Sequence, residues 1–398
     1  MRMASRQQIS IKPVLGATIC ALALFVAVPP SVGKAQSTEG PSKNPQDLLQ
    51  HKEAIQKLVK ETMMEKDLKA VILGVNVGNE RVLTIAAGES MAGVPAAADM
   101  QVRLGAIAIP YLASVLLQLE QEGVLSLNDP LAKYLPELPL AKEVSLKMLI
   151  NCTSGYPDYV TYDKFLKAFY ADVFRTWSAQ ELIDIAFEQP MHFKPGEGWS
   201  YAHTNFVILG EVIKKATGHP LTAQIQERII APFGLSNTFN PPTPAIPQPV
   251  LHAYTRERGV YEEGTFWNPS WTLPEGAIMT ANLEDILISA RAIGTGRQLS
   301  EKSFARMVAP DTAGIKPWSE DTFFGLGVVV NNGWIAQNPS FHGFAGFMGY
   351  LPDKDLSVAI FTTKKENAEI DPNESVTIFQ RLSEVLTPEN AIKTRGGK

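Results

Sequence analysis

The sequence predicts an α+β protein in which one sheet is built from strands at both ends of the chain, with a mainly helical lobe inserted between them. Two observations carry this. Short apolar or β-branched runs bounded by turn residues cluster over 70–87 and again over 323–363. Between them, about residues 106–300 show helical periodicity interrupted by irregular loops. No internal repeat is present, which excludes solenoids and propellers.

The elements follow in chain order. Leu48, Leu49, Ile55, Leu58 and Val59 mark a helix from about Leu48 to Met64. Ala70–Val77 is a nearly continuous apolar run, Arg81–Ala87 is rich in β-branched residues, and Gly78–Glu80 supplies the turn of a hairpin. Ile107–Glu122 reads as a helix closed by Gly123, and Phe206–Ala216 as one closed by Gly218. Thr222–Ile230 and Glu284–Ile293 are further helices. Strands return at Phe323–Asn331, Phe344–Tyr350 and Leu356–Thr363, and an amphipathic helix runs from about Glu374 to Leu386.

The N-terminus carries Arg2, Arg6 and Lys12, then an apolar run from Val14 to Val28 ended by Pro29 and Pro30, with Gly33 and Ala35 beyond. A basic segment, a short apolar segment and small residues describe a secretory signal peptide over residues 1–35. The apolar run is shorter than the roughly 20 residues that span a bilayer, which weighs against an uncleaved anchor. Residues 36–47 are polar with Gly and Pro and read as a flexible linker. An exported protein, periplasmic or extracellular in a bacterium, is expected. Its remaining roughly 360 residues suffice for one two-lobed domain.

Removing the leader's basic residues (Arg2, Arg6, Lys12, Lys34) takes the formal charge from −5 to about −9. Nucleic acid is excluded as a partner, because it needs a basic face. Cys152 is then the one remaining cysteine, so no intrachain disulfide forms. A hydrophobic content of 45% is ample for an ordinary core. No later segment is apolar and long enough to cross a membrane.

Several stretches resemble the serine β-lactamase and penicillin-binding family, nearest its class C β-lactamase and D-Ala-D-Ala carboxypeptidase branch. Residues 102–136 are similar to the segment that opens the family's long active-site helix. Val144–Tyr159 (VSLKMLINCTSGYPDY) resembles its T-x-x-x-L-L-x-H-T-S-G-x-x-D-Y stretch, with Ser145 at the opening Thr. Phe193–Gly210 (FKPGEGWSYAHTNFVILG) resembles F-x-P-G-x-x-x-x-Y-S-N-x-N-Y-x-L-L-G. Trp267–Leu283 and Trp334–Thr363 also fit. The resemblance covers about residues 50–365. It implies a β-lactamase/transpeptidase-like domain over 48–390: an antiparallel sheet lobe with flanking helices (about 48–105 and 301–390) and a helical lobe (about 106–300).

The resemblance also implies a cleft lined by three motifs, all altered here. The family's Ser-x-x-Lys pairs a nucleophilic hydroxyl with an amine one helical turn later. This sequence has Ala106 and Ile109, a methyl that cannot attack and an alkyl chain that cannot accept a proton. A shifted register fails, since the nearest downstream serine, Ser114, is followed three residues later by Leu117. The Tyr-x-Asn motif is Tyr201-Ala202-His203, and only Tyr201 matches. Its phenol assists as base in the family and, with an ordinary pKa near 10, needs a nearby cation, which Ile109 does not supply. The strand motif, His-x-Gly in this branch, becomes Gln337-Asn338-Pro339, and proline brings no N–H to such an edge. His342-Gly343 offers a second His-x-Gly-like pair, out of register. Tyr201, His203, Asn205, Trp267 and Asn338 are the residues expected in the ligand cleft, with Trp271 and Trp334 as further aromatics. No catalytic set is intact.

Cys152 has no basic neighbour in Ile150–Gly155 and reads as a buried small residue. The six histidines form no i, i+4 pair and no His-Glu-x-x-His, so no metal and no cofactor are expected. Two readings stand. One is a secreted pseudoenzyme that binds a peptide or small molecule, or regulates. The other is a divergent esterase or peptidase with an unrecognised nucleophile, which requires a Ser, Cys or Thr within reach of Tyr201 or His203.

Overall fold

The computed structural model describes residues 51–241, 243–272, 279–370 and 373–392. The expected leader and linker, and the first turn of the first expected helix, lie outside these. Helix α1 (Lys52–Glu65) buries Ile55, Val59 and Thr62 along one face, the i, i+4, i+7 stripe of an amphipathic helix. Strands β1 (Leu68–Val77) and β2 (Glu80–Met91) form the expected hairpin, with Gly78 at φ +57° in the turn. After a two-residue β3 (Val94–Pro95) the chain enters the helical lobe. It returns through α4 (Leu283–Gly294) to β4 (Thr322–Phe324), β5 (Val329–Asn331), β6 (Trp334–Gln337), β7 (Ser340–Phe341), β8 (Phe344–Leu351) and β9 (Leu356–Lys364), ending in α5 (Glu374–Leu386).

These strands make one nine-stranded sheet in the order β3-β2-β1-β9-β8-β6-β5-β4, with β7 also on β8. Every pairing is antiparallel, and the first long strand lies beside the last, from Leu68 opposite Lys364 to Val77 opposite Leu356. The expected sheet from both chain ends is therefore present. Its outer face packs Val71, Leu73, Val358 and Ile360 against α1 and the Ile378–Leu382 face of α5. Its inner face packs Ala70 and Ile72 towards α4 and the helical lobe. Covered on both sides, β1 needs no polar alternation, which explains its continuous apolar run. At Gly74 an added Cβ would lie 2.7 Å from Leu287, so α4 crosses β1 closely there.

Two expectations require correction. Phe323–Asn331 is not one strand but the hairpin β4–β5, turned through Gly325–Val328. Gly327 has φ +73°, and an added Cβ would meet Ala113 and Ile109 at 3.0–3.1 Å, so helix packing dictates the reversal. Thr222–Ile230 is a short α-helix, Leu221–Ile225, followed by a π-turn, Gln226–Ile230. The helix Ala179–Ala186 was not anticipated, although Ser178 and Glu181 form a capping box at its start. No helix of the described residues is long and apolar enough to cross a membrane.

Candidate functional site

A 3₁₀ turn (Gly105–Ile107) leads into α2 (Ala108–Gln121), and α3 (His203–Thr217) begins directly at His203. Pro110 sits in the first turn of α2, where the amides lack helical acceptors in any case. The start of both helices and the β6–β7 edge border a cavity of about 20 Å³, room for about one water molecule. It is lined by Gly105, Ala106, Tyr201, His203, Trp271, Thr272, Pro339, Ser340 and Phe341. Gly105 has φ +48°, and an added Cβ would lie 2.7 Å from the Phe341 ring and 2.9 Å from Pro339, so the floor is tightly closed.

Five residues expected in the cleft meet there: Ala106, Tyr201, His203, Trp271 and Pro339. The others lie elsewhere. Ile109 is 1% exposed and packs against Gly327, so hydrocarbon stands where the resemblance expects the amine. Gln337 turns away, its Nε2 donating to the Gly327 carbonyl at 2.8 Å. Asn205, expected in the cleft, is fully buried and accepts a 2.7 Å hydrogen bond from Ser154, bracing α3 against the loop after Cys152. Trp267 stands one layer behind the cavity, 4.9 Å from His342. Trp334 is on the other face of the sheet, against Phe379. Asn338 contributes a carbonyl to a clasp: Asn373 Nδ2 donates to the carbonyls of Asn338, Pro339 and Gly346 at 3.3, 2.8 and 3.1 Å. The clasp holds together the edge where Pro339 separates β6 from β7. Ser114 is buried within α2, away from the cavity.

The sequence reading missed Asp158. Its Oδ2 lies 3.0 Å from His203 Nδ1, with both side chains 5% exposed. Oδ1 of the same carboxylate accepts from the Val160 amide at 3.2 Å. Tyr201 meets the His203 ring edge-on at 5.1 Å, and Tyr159 and Trp271 stand 6.0 Å away. Burial raises the Tyr159 phenol well above its ordinary pKa, and it donates to the Trp271 carbonyl at 2.5 Å. Asp158 stands in the quoted Val144–Tyr159 stretch. Its contact with His203, 45 residues on in sequence, is not encoded in that stretch alone.

Behind Trp271 lies a second histidine network. The indole N–H of Trp271 donates to His342 Nε2 at 3.1 Å, which leaves the His342 proton on Nδ1, facing Glu257 Oε2 at 3.2 Å. Burial pushes the Glu257 carboxyl up, but the His342 imidazole and hydrogen bonds from Thr255 and the His342 amide prevail and hold it below its ordinary value. His342-Gly343 therefore supports the aromatic wall and does not face the cleft. Cys152 is buried, and desolvation pushes its thiol up to about 12. Among the described residues no group of His, Cys, Asp and Glu is arranged to hold a metal ion.

The antiparallel sheet of both termini, the helical lobe and a cleft floor headed by α2 define a β-lactamase/transpeptidase-like protein. The chain belongs to the Beta-lactamase family, whose model matches residues 55–382. Among solved structures it is similar to a D-stereospecific amidohydrolase from Streptomyces sp. (26% identity, TM-score 0.74, 85% of this chain and 99% of that one). The D-amino acid amidase of Ochrobactrum anthropi SV3 shares the fold at 22% identity and a TM-score of 0.72, over 84% of this chain and 98% of that one. Among curated proteins it is 30% identical to Penicillin-binding protein 4* of Bacillus subtilis (strain 168) over 34% of this chain and 29% of that protein. It is also 30% identical to Esterase EstB of Burkholderia gladioli over 36% of this chain and 39% of that protein. These two matches thus span under two fifths of the relatives' own lengths.

Proposed function

We propose that this is an exported member of the family whose cleft no longer forms an acyl-serine and serves instead to bind a small molecule or peptide. One observation carries the reading: Ala106, which borders the cavity, and the buried Ile109 stand where the resemblance expects the nucleophile and the amine. Neither side chain forms a bond to an acyl group or carries a proton. The N-terminal leader supports export.

A second reading, a divergent hydrolase, is favoured by Ser340, a hydroxyl-bearing residue that lines the same cavity as Tyr201 and His203. Relatives named as an esterase and an amidohydrolase point the same way. Covalent labelling separates the two. Purified mature protein is expected to give no nitrocefin turnover, no fluorophosphonate label and no lactam adduct by intact mass. The Ala106→Ser/Ile109→Lys variant is expected to gain an adduct at position 106. An adduct on any residue of the native cleft overturns the first reading.

A further inference from the structure

A second cavity, of about 370 Å³, lies in the helical lobe and shares no lining residue with the cavity at the cleft floor. Its size falls within the roughly 300–1,000 Å³ of small-molecule sites. It is walled by the first turns of the helix Ala179–Ala186, the middle of α3, the start of the helix Leu221–Ile225 and the segment Asn268–Ser270. The polar groups of this wall are held by one another. Ser270 Oγ accepts from the Trp177 amide at 2.8 Å, and Asn268 Oδ1 accepts from the Ser270 amide at 3.0 Å. Asn268 Nδ2 donates to Thr176 Oγ1 at 2.9 Å and to the Phe174 carbonyl at 3.2 Å. A wall fixed in this way spares a ligand the cost of ordering it.

Two charged lining side chains stand outside that network. Glu211 and Lys214 lie one turn apart on α3, and among the described residues neither side chain forms an ion pair or a hydrogen bond. Glu211 is half-buried and Lys214 is exposed, so this part of the wall is open to solvent. Side chains at this spacing are neighbours, with about 5–6 Å between their β carbons. One acid and one base therefore border the same short stretch of the cavity. Trp177, Leu182 and Leu221 add apolar surface to its wall.

We infer that this cavity binds a free α-amino acid with an aliphatic side chain: its carboxylate on Lys214, its ammonium on Glu211 and its side chain against Leu182, Leu221 and Trp177. An α-amino acid carries its two charges across a single carbon, which matches an acid and a base one helical turn apart. A longer peptide separates those charges. A simple anion or cation leaves one of the two residues unused, and an apolar ligand leaves both. The site is separate from the cleft and holds whether or not the cleft acylates.

The test is saturation-transfer NMR of the purified protein, titrated with L-leucine and with D-leucine. Saturable binding of at least one of them is expected, with a Kd of about 1 mM or tighter. 4-Methylpentanoate lacks the amine and 3-methylbutylamine lacks the carboxylate, and each should bind about 10-fold more weakly or not at all. Lys214→Gln and Glu211→Gln should each weaken leucine by about 10-fold or more. Lys215→Gln, the next residue of α3 and outside the cavity wall, should bind leucine as the native protein does. Melting curves show which variants are folded, and the native protein's preference for leucine over its two analogues decides even if a variant is not. No saturable binding of either leucine overturns the inference, as does equal affinity for leucine and both analogues. Native-like leucine binding by folded Lys214→Gln and Glu211→Gln overturns it too and sends the ligand elsewhere, with the reading of the cleft untouched.

Discussion

Ala106 and Ile109 stand where the resemblance expects a nucleophilic hydroxyl and an amine, and neither side chain can attack or carry a proton. Both residues are helix-compatible, and both are buried. Cys152 shows the same separation of place from chemistry. It lies in the loop beneath α3 with φ +63°, but burial holds its thiol near 12, where almost no thiolate exists at neutral pH. The native protein is therefore expected to resist iodoacetamide and Ellman's reagent at mildly alkaline pH and to react fully once unfolded in guanidinium. Rapid labelling of the native state would show that the loop opens. His203 and His342 are both buried and each sets its Nδ1 against a carboxylate, Asp158 and Glu257, while the Nε2 of His342 also accepts from Trp271.

At the scale of elements, the β6–β7 edge depends on a residue from another part of the chain. Pro339 and the bend at Asn338 interrupt the strand that pairs with β8. The Asn373 amide bridges the gap, while its Oδ1 caps α5 by accepting from Ser375 and Val376 at 3.1 and 3.3 Å. Asn373→Ala removes the cap and leaves buried carbonyls unsatisfied, a loss of about 2–4 kcal/mol. Urea unfolding measures it. Asn373→Asp keeps the cap acceptor but sets a carboxylate oxygen against three carbonyls, so it should be at least as destabilising. Equal stability of the native protein and Asn373→Ala would mean that β7 is held by other contacts.

For the whole molecule, the sheet joins both ends of the chain. Helix α5 covers the outer face of β9 and β1, and its Arg381 grips Glu65 of α1 through two hydrogen bonds at 2.8 and 3.0 Å. Truncation before Glu374 would expose Val71, Leu73, Val358 and Ile360 together, at about 1.5–3 kcal/mol for each side chain uncovered. The truncated chain is expected to lack a cooperative thermal transition by circular dichroism and to aggregate on size exclusion. A cooperative melt near the native one would show that the outer layer is dispensable.

Periodicity and turn chemistry by themselves determined the long helices, the first hairpin, the strands β8 and β9 and the assembly of one sheet from both chain ends. These features arise from local patterns that repeat every two or 3.6 residues. The sequence also showed that Ala106 and Ile109 lack the chemistry of Ser-x-x-Lys, because residue type alone decides whether an atom can attack or carry a proton. Only the tertiary structure decided that Asn205 braces the core, that β4 and β5 are a hairpin, that Asn373 holds the Pro339 edge and that Asp158 orients His203. Each of those depends on residues far apart in sequence meeting at contact distance, and no local pattern encodes where a buried side chain finds its partner.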